Sequence, residues 1–182
     1  NKHCLCKTLD RTVLEQQLHR YIDPKTLLER PHLFSDTAYY ISEKNFEEME
    51  SIISAIENVT SMESFQEKVG ISVPPVASTD FGPKGVLMGY DFHLTDEGPK
   101  LIEINTNAGG AYLNMVLAKA QVSCCEGIKK IVDLDNLETV FFDMFLEEWT
   151  LQRGELPLNT IAVVDDSPQE QYLFPEFLLF AE

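Results

Sequence analysis

The sequence predicts an α+β fold in which helices pack on a small antiparallel sheet, followed by the first strand and helix of a further α/β domain. Three observations predict it. Gly89 to Thr95 and Pro99 to Thr106 alternate apolar and polar residues on either side of Asp96-Glu97-Gly98, the pattern of two strands joined by a hairpin. The stretches around them carry apolar residues at three- and four-residue steps, which marks amphipathic helices. Ile161 to Val164 then runs into Asp165-Asp166-Ser167-Pro168 and a second apolar run, the pattern of a strand followed by a helix.

Each element has a local reason. Leu14, Leu18 and Ile22 fall on one face of a helix from Asp10 to Ile22, with Asp10 as its cap. Asp23-Pro24 starts a second short helix that ends before Pro31. Thr37 to Ile41 reads as a short strand. Ser42 opens a helix that turns Phe46, Met49, Ile52, Ile53 and Ile56 inward, and Ser61 to Val69 forms another, closed by Gly70. Val73 to Asp80 is an extended connector. Helices follow over Ala111 to Ile131 and Leu137 to Gln152, and Gly154-Glu155-Leu156-Pro157 is a linker. The expected organisation is a mainly helical region 1–70, a subdomain 71–155 around the hairpin, and residues 156–182 as the start of another domain.

The hairpin carries the chemistry. Glycine at the left-handed position of a three-residue loop Asp96-Glu97-Gly98 sets the register, placing Thr95 opposite Pro99, His93 opposite Leu101 and Asp91 opposite Glu103. Asn105 lies two residues beyond Glu103 on the same face, while Phe92, Leu94, Ile102 and Ile104 form an apolar face on the other side. Opposed carboxylates repel unless a cation lies between them or one keeps its proton. A hard divalent ion, Mg²⁺ before Ca²⁺, fits Asp91, Glu103 and Asn105. An arbitrary acidic pair is ordinarily just a solvated strand face. Here a neutral Asn of the right parity, an uninterrupted apolar opposite face and a glycine-rich turn directly afterwards favour the cation. In that turn, Asn107-Ala108-Gly109-Gly110, the amides of Gly109 and Gly110 open a helix whose amino end favours anions. His93 shares the ligand face, and Lys84 precedes the hairpin within reach of a phosphate. Asn107 and Asn114 can instead cap the helix.

The block from Gly85 to Leu94 and from Leu101 to Gly110 resembles the metal-binding end of ATP-grasp carboxylate–amine ligases, in which an Asp on one strand and a Glu-x-Asn on its neighbour hold the magnesium ions that bridge the ATP phosphates. The tail Leu158 to Phe177 looks like the start of the nucleotide-type, Rossmann-like domain that ordinarily precedes this half. Here it follows, which is the order of the circularly permuted ATP-grasp family. The resemblance implies ATP and Mg²⁺ as cofactors, with Asp91, Glu103 and Asn105 on the metal and Asn107, Gly109, Gly110, His93 and Lys84 toward the nucleotide or substrate. It further implies a ligase that phosphorylates a small-molecule or peptide carboxylate and lets an amine attack the acyl phosphate to give an amide. No residue of this stretch need act as nucleophile. The nucleotide-clamping lysines belong to the other half of the grasp, so this segment alone is expected to be inactive. A scaffold protein that kept the fold and lost catalysis is one alternative. A signalling protein is another, since Ile161 to Pro168 also resembles the first strand of a receiver domain; Pro175, which interrupts the helix that should follow, argues against it.

Composition bounds these readings. Fourteen basic against thirty acidic residues give a net charge of −16, which disfavours nucleic acid and anionic lipid as partners. No apolar run reaches the length of a membrane span, and no signal peptide opens the chain, so a soluble, cytoplasmic protein is expected. Cys4, Cys6, Cys124 and Cys125 have no zinc-type spacing and read as reduced thiols. Both ends look cut, and the apolar helix from Tyr172 to Phe180 is expected to need cover from the rest of the polypeptide or from another subunit.

Overall fold

The computed structural model describes residues 8–121 and 133–182. All four cysteines and the distal part of the helix expected to reach Ile131 lie outside the described residues. The fold is α+β, with helices and one two-stranded antiparallel sheet. The chain forms two compact units. The first draws on Asn1–Tyr40, Gly109–Met144 and Pro157–Glu182, and the second on Ile41–Ala108 and Phe145–Leu156.

In the first unit, helix α1 (Arg11–Leu18) starts where Asp10 accepts hydrogen bonds from the amides of Thr12 and Val13, at 3.0 and 3.1 Å. Helix α2 (Pro24–Leu28) is capped by Asp23, which accepts from the Lys25 amide at 2.7 Å, and proline opens it because its missing N–H is not needed there. Leu14, Leu18 and Ile22 are buried as their spacing predicts. They join Leu113, Met115, Val116 and Ala120 of α5 (Ala111–Ala120) and Leu179 of α7 (Phe174–Ala181) in one apolar core.

Three expectations change in this unit. Helix α5 ends at Ala120, because Gln121 turns extended and bridges Leu9 while the Asp10 amide donates to the Ala120 carbonyl at 3.0 Å. Thr37 to Ile41 and Ile161 to Val164 are not strands: the one sheet among the described residues is the hairpin, and an apolar run without a ladder partner stays irregular. The strand expected to begin a Rossmann-like domain, and equally a receiver, is therefore not formed. The large apolar side chains of helix α7 are buried or half-buried within this unit. The helix packs on α5, with Leu179 only 4% exposed and Phe180 edge-on to Tyr112 at 5.3 Å.

In the second unit, α3 (Glu43–Thr60) begins at Ser42, whose hydroxyl accepts from the Asn45 amide at 3.1 Å. Its face Phe46, Met49, Ile52, Ile53 and Ile56 is half-buried, and α3 packs on strand β2. Helix α4 is Glu63–Gly70; Gly70 ends it without the left-handed conformation expected of a closing glycine. The connector contains a short 3₁₀ turn, Pro75–Ser78. Helix α6 (Leu137–Arg153), which belongs to this unit from Phe145 onward, ends near Gly154, which has φ +64°.

The sheet is β1 (Gly89–Thr95) with β2 (Gly98–Asn105). Asp91 pairs with Glu103 and Gly89 with Asn105, but by a different route from the one expected. Gly98 has the expected positive φ, +104°, yet pairs with Thr95, so the turn proper is the two residues Asp96-Glu97. His93 therefore faces Lys100, not Leu101, and Leu94 faces Pro99. The ladder then skips Ile102 in a bulge between the Asp91 and Phe92 pairs, and this offsets the shorter turn. The bulge also corrects the apolar face. Pro99 is buried and Phe92, Leu94 and Leu101 are half-buried, whereas Ile102 is 65% exposed and Ile104 36%.

Candidate metal and phosphate site

The hairpin brings Asp91, Glu103 and Asn105 onto one face, as cross-strand partners share a face and residues two apart return to it. The two carboxylates are exposed and Asn105 is half-buried. Opposite Asn105 stands Gly89, where a Cβ would come within 3.5 Å of the Asn105 Cβ and 3.1 Å of the Ala108 Cβ. The tight contact is with Ala108, so glycine there lets the turn after β2 close on the strand, while Asn105 would meet a Cβ only at ordinary van der Waals distance.

The donor set suits a hard cation. Directly opposed Cβ atoms lie about 4.5–5.5 Å apart, so both carboxylates can reach one ion. Ion pairs among the described residues join other groups, such as Lys100 to Glu97 at 3.7 Å on the same hairpin. No three His, Cys, Asp or Glu side chains converge among the described residues. The third member of this set is an amide, and such a set leaves most coordination positions to water or to a ligand's oxygens.

The remaining expected residues divide between the two units. His93 is exposed on the same strand as Asp91, opposite Lys100. Next to Asp91, Tyr90 donates to Glu57 at 2.8 Å, and that hydrogen bond, with smaller contributions from burial and the charge of Glu57, raises the phenol above its ordinary value. Asn107 is exposed in the turn after β2 and makes no cap; Gly110, with φ +95°, occupies the capping position of α5. Asn114 donates its side-chain amide to the Gly110 carbonyl at 2.9 Å. Lys84 is exposed, with its backbone amide held by Glu148.

Gly109 and Gly110 belong to the first unit, and the anion at the amino end of α5 is the chain's own. Glu176 of α7 accepts from the amides of Gly110, at 2.5 Å, and of Tyr112, at 2.7 Å. It is 2% exposed. A Cβ on Gly109 would lie 2.6 Å from the Leu173 side chain, so this glycine makes room for packing against α7. The Gly110 amide, expected to steady an anionic substrate, is thus engaged by the chain's own carboxylate. Burial, with lesser help from Glu138 and Tyr21, raises the Tyr112 phenol in the same region.

Compared with protein families, with curated proteins and with solved structures, the chain shows no match.

Sequence reasoning missed the residues that hold the loops. Arg30, 8% exposed, donates to the carbonyls of Thr26, Gln169, Gln171 and Tyr172 at 2.9–3.0 Å and lies 6.0 Å from the Phe174 ring centroid. Glu148 accepts from the amides of Lys84 and Gly85 at 3.1 and 2.9 Å. Glu176 alone had a visible signal: a single carboxylate within the apolar run Leu173 to Phe180 must find donors when that run is buried.

Proposed function

We propose that this chain supplies the carboxylates that hold Mg²⁺ against the phosphates of ATP in a carboxylate–amine ligase of the circularly permuted ATP-grasp type. The observation that carries the reading is the pairing of Asp91 with Glu103 across the ladder, with Asn105 on their face. The supporting context is the match in residue type, order and spacing to the Asp and Glu-x-Asn of that superfamily. When bound, the cation would offset charge on the phosphoryl group transferred to a substrate carboxylate before an amine displaces it.

Asp91 and Glu103 supply charged oxygens, and Asn105 adds a neutral one. The exposure of the two carboxylates suits the role, since a phosphate must reach the open coordination positions. His93 and Asn107, also exposed in this unit, would meet the nucleotide or the substrate, and Lys84 would contribute an exposed positive charge. In such a reaction these side chains act by positioning and charge, and none of them need act as nucleophile.

Paramagnetic Mn²⁺ in place of Mg²⁺ tests the reading. Amide signals of Asp91, Glu103 and Asn105 should broaden first, weakly with metal alone and at lower metal concentration once ATP is added, and Glu103→Gln should remove both responses. Tight binding that ATP does not alter would make the trio a closed structural site; broadening centred elsewhere would remove the assignment.

A further inference from the structure

The loop before the hairpin already binds an anion. Lys84 and Gly85 present consecutive amides to the two oxygens of one carboxylate, Glu148 Oε1 and Oε2. Two left-handed glycines shape this loop, Gly82 at φ +94° and Gly85 at +108°. Gly82 lies against α6 so closely that a Cβ would stand 2.4 Å from the Leu151 carbonyl oxygen, while around Gly85 there is open space. Successive N–H groups aimed at one point, with a left-handed residue among them, form a concavity that suits oxyanions. The carboxylate of Glu148 shows where such an oxyanion sits.

We infer that the loop Gly82-Pro83-Lys84-Gly85 is a phosphoryl-binding site and that Glu148 is its resting occupant, displaced when a phosphoryl group takes the two amides. Two features distinguish this carboxylate from Glu176, which makes the same kind of contact. Glu148 is half-buried and its two hydrogen bonds to the loop lie at the surface, so water reaches its released carboxylate, whereas Glu176 is 2% exposed and sits among the packed side chains of α7. Lys84 also adds a positive charge beside the amides, and its side chain is exposed. A phosphoryl group, with more charge and more acceptor oxygens than a carboxylate, gains more from both. Asp80, which accepts from the Gly82 amide at 2.8 Å, and Glu147, next to Glu148 in sequence, set an opposing charge, so the site is expected to be weak while Glu148 remains.

The inference deepens the nucleotide reading by naming what the Lys84 loop would hold, and its test omits divalent cations so that the two can fail separately. Inorganic phosphate, and in a parallel arm ATP, is titrated into isotope-labelled protein in the presence of EDTA, with the amide signals of Lys84 and Gly85 followed. Glu148→Ala should tighten phosphate binding about tenfold and move both signals. Adding Lys84→Ala to that variant should reverse most of the gain. Glu148→Gln, which keeps the side chain's length, should change affinity in the same direction by a smaller factor, and guards against a folding defect in the alanine variant. ATP binding more tightly than phosphate would identify a nucleotide as the source of the phosphoryl group, and equal affinities would identify the free ion. Unchanged affinity in both Glu148 variants, or phosphate-induced shifts that bypass Lys84 and Gly85, would overturn the inference.

Discussion

The two units differ in where they keep their apolar side chains. In the first, Leu14, Leu18, Ile22, Leu113, Met115, Val116, Ala120 and Leu179 are buried in one cluster. In the second, the apolar faces of α3 and of the hairpin are half-buried, and Ile71, Ile102 and Phe81 are largely exposed. The residues with ligand chemistry, Asp91, Glu103 and Asn105, belong to the second unit. Regions with few buried contacts open at lower free energy, and functional loops are drawn from that end. The same contrast recurs on a smaller scale in the two carboxylates that clamp backbone amides, buried Glu176 and half-buried Glu148.

The largest expected effect tests the core itself. Leu18, 1% exposed, should lose about 3 kcal/mol on replacement by alanine, because a cavity among packed neighbours adds to the lost transfer free energy. Ile52→Ala on the half-buried face of α3 should cost less than about 1.5 kcal/mol, since water can fill the gap. Urea denaturation of the two variants gives the difference, and equal losses would break the contrast between the units.

A smaller pair of effects separates the clamps. Glu176→Ala leaves the Gly110 and Tyr112 amides without their acceptor in a buried place and should cost about 2–3 kcal/mol. Glu148→Ala exposes its two amides to water and should cost less than about 1 kcal/mol. Thermal melts followed by circular dichroism rank them, and a Glu148 variant as unstable as the Glu176 variant would show that the Glu148 clamp is structural.

Next come two glycines of the same loop. Both are left-handed, so alanine costs about 1–2 kcal/mol at either from backbone strain alone. Gly82→Ala adds a collision with the Leu151 carbonyl, which cannot move away cheaply, while Gly85→Ala meets nothing. Gly82→Ala should therefore be the more destabilising by about 1 kcal/mol or more, measured by the same melts. Similar values would mean that the loop can lift away from α6.

What the sequence revealed follows from how local each interaction is. Asp10, Asp23 and Ser42 are visible as caps because each bonds an amide two or three residues away. The hairpin is visible from its alternation and from Gly98, and Asp91 does pair with Glu103. That register nevertheless rested on two offsetting departures, a shorter turn and the bulge at Ile102, and neither leaves a local signature. The absent strands at Thr37–Ile41 and Ile161–Val164 were illegible for a related reason: a strand exists only with a partner, and partners are not encoded nearby. The clamps are less local still, since Glu148 reaches back 63 residues to Gly85 and Glu176 reaches back 66 to Gly110.

The smallest expected effect on stability is the sharpest test of the second unit. Glu103→Gln removes one of two opposed negative charges on an exposed strand face while keeping the side chain's shape. Relief of that repulsion is worth a few tenths of a kcal/mol, and the buried side of the hairpin, Pro99 with half-buried Phe92, Leu94 and Leu101, is not disturbed. The metal-free variant should accordingly melt at the same temperature as the parent or slightly above it. The carboxylate's role in holding a cation predicts the opposite sign once Mn²⁺ and ATP are present: the parent should gain stability from ligand that binds only the folded state, and the variant should gain little. The informative quantity is the difference between these two responses, because a fold defect lowers both melts and a metal-site defect lowers only the second. A variant that Mn²⁺ and ATP stabilise as much as the parent would leave Glu103 an ordinary solvated carboxylate, and the exposed face of the hairpin would lose its claim to function.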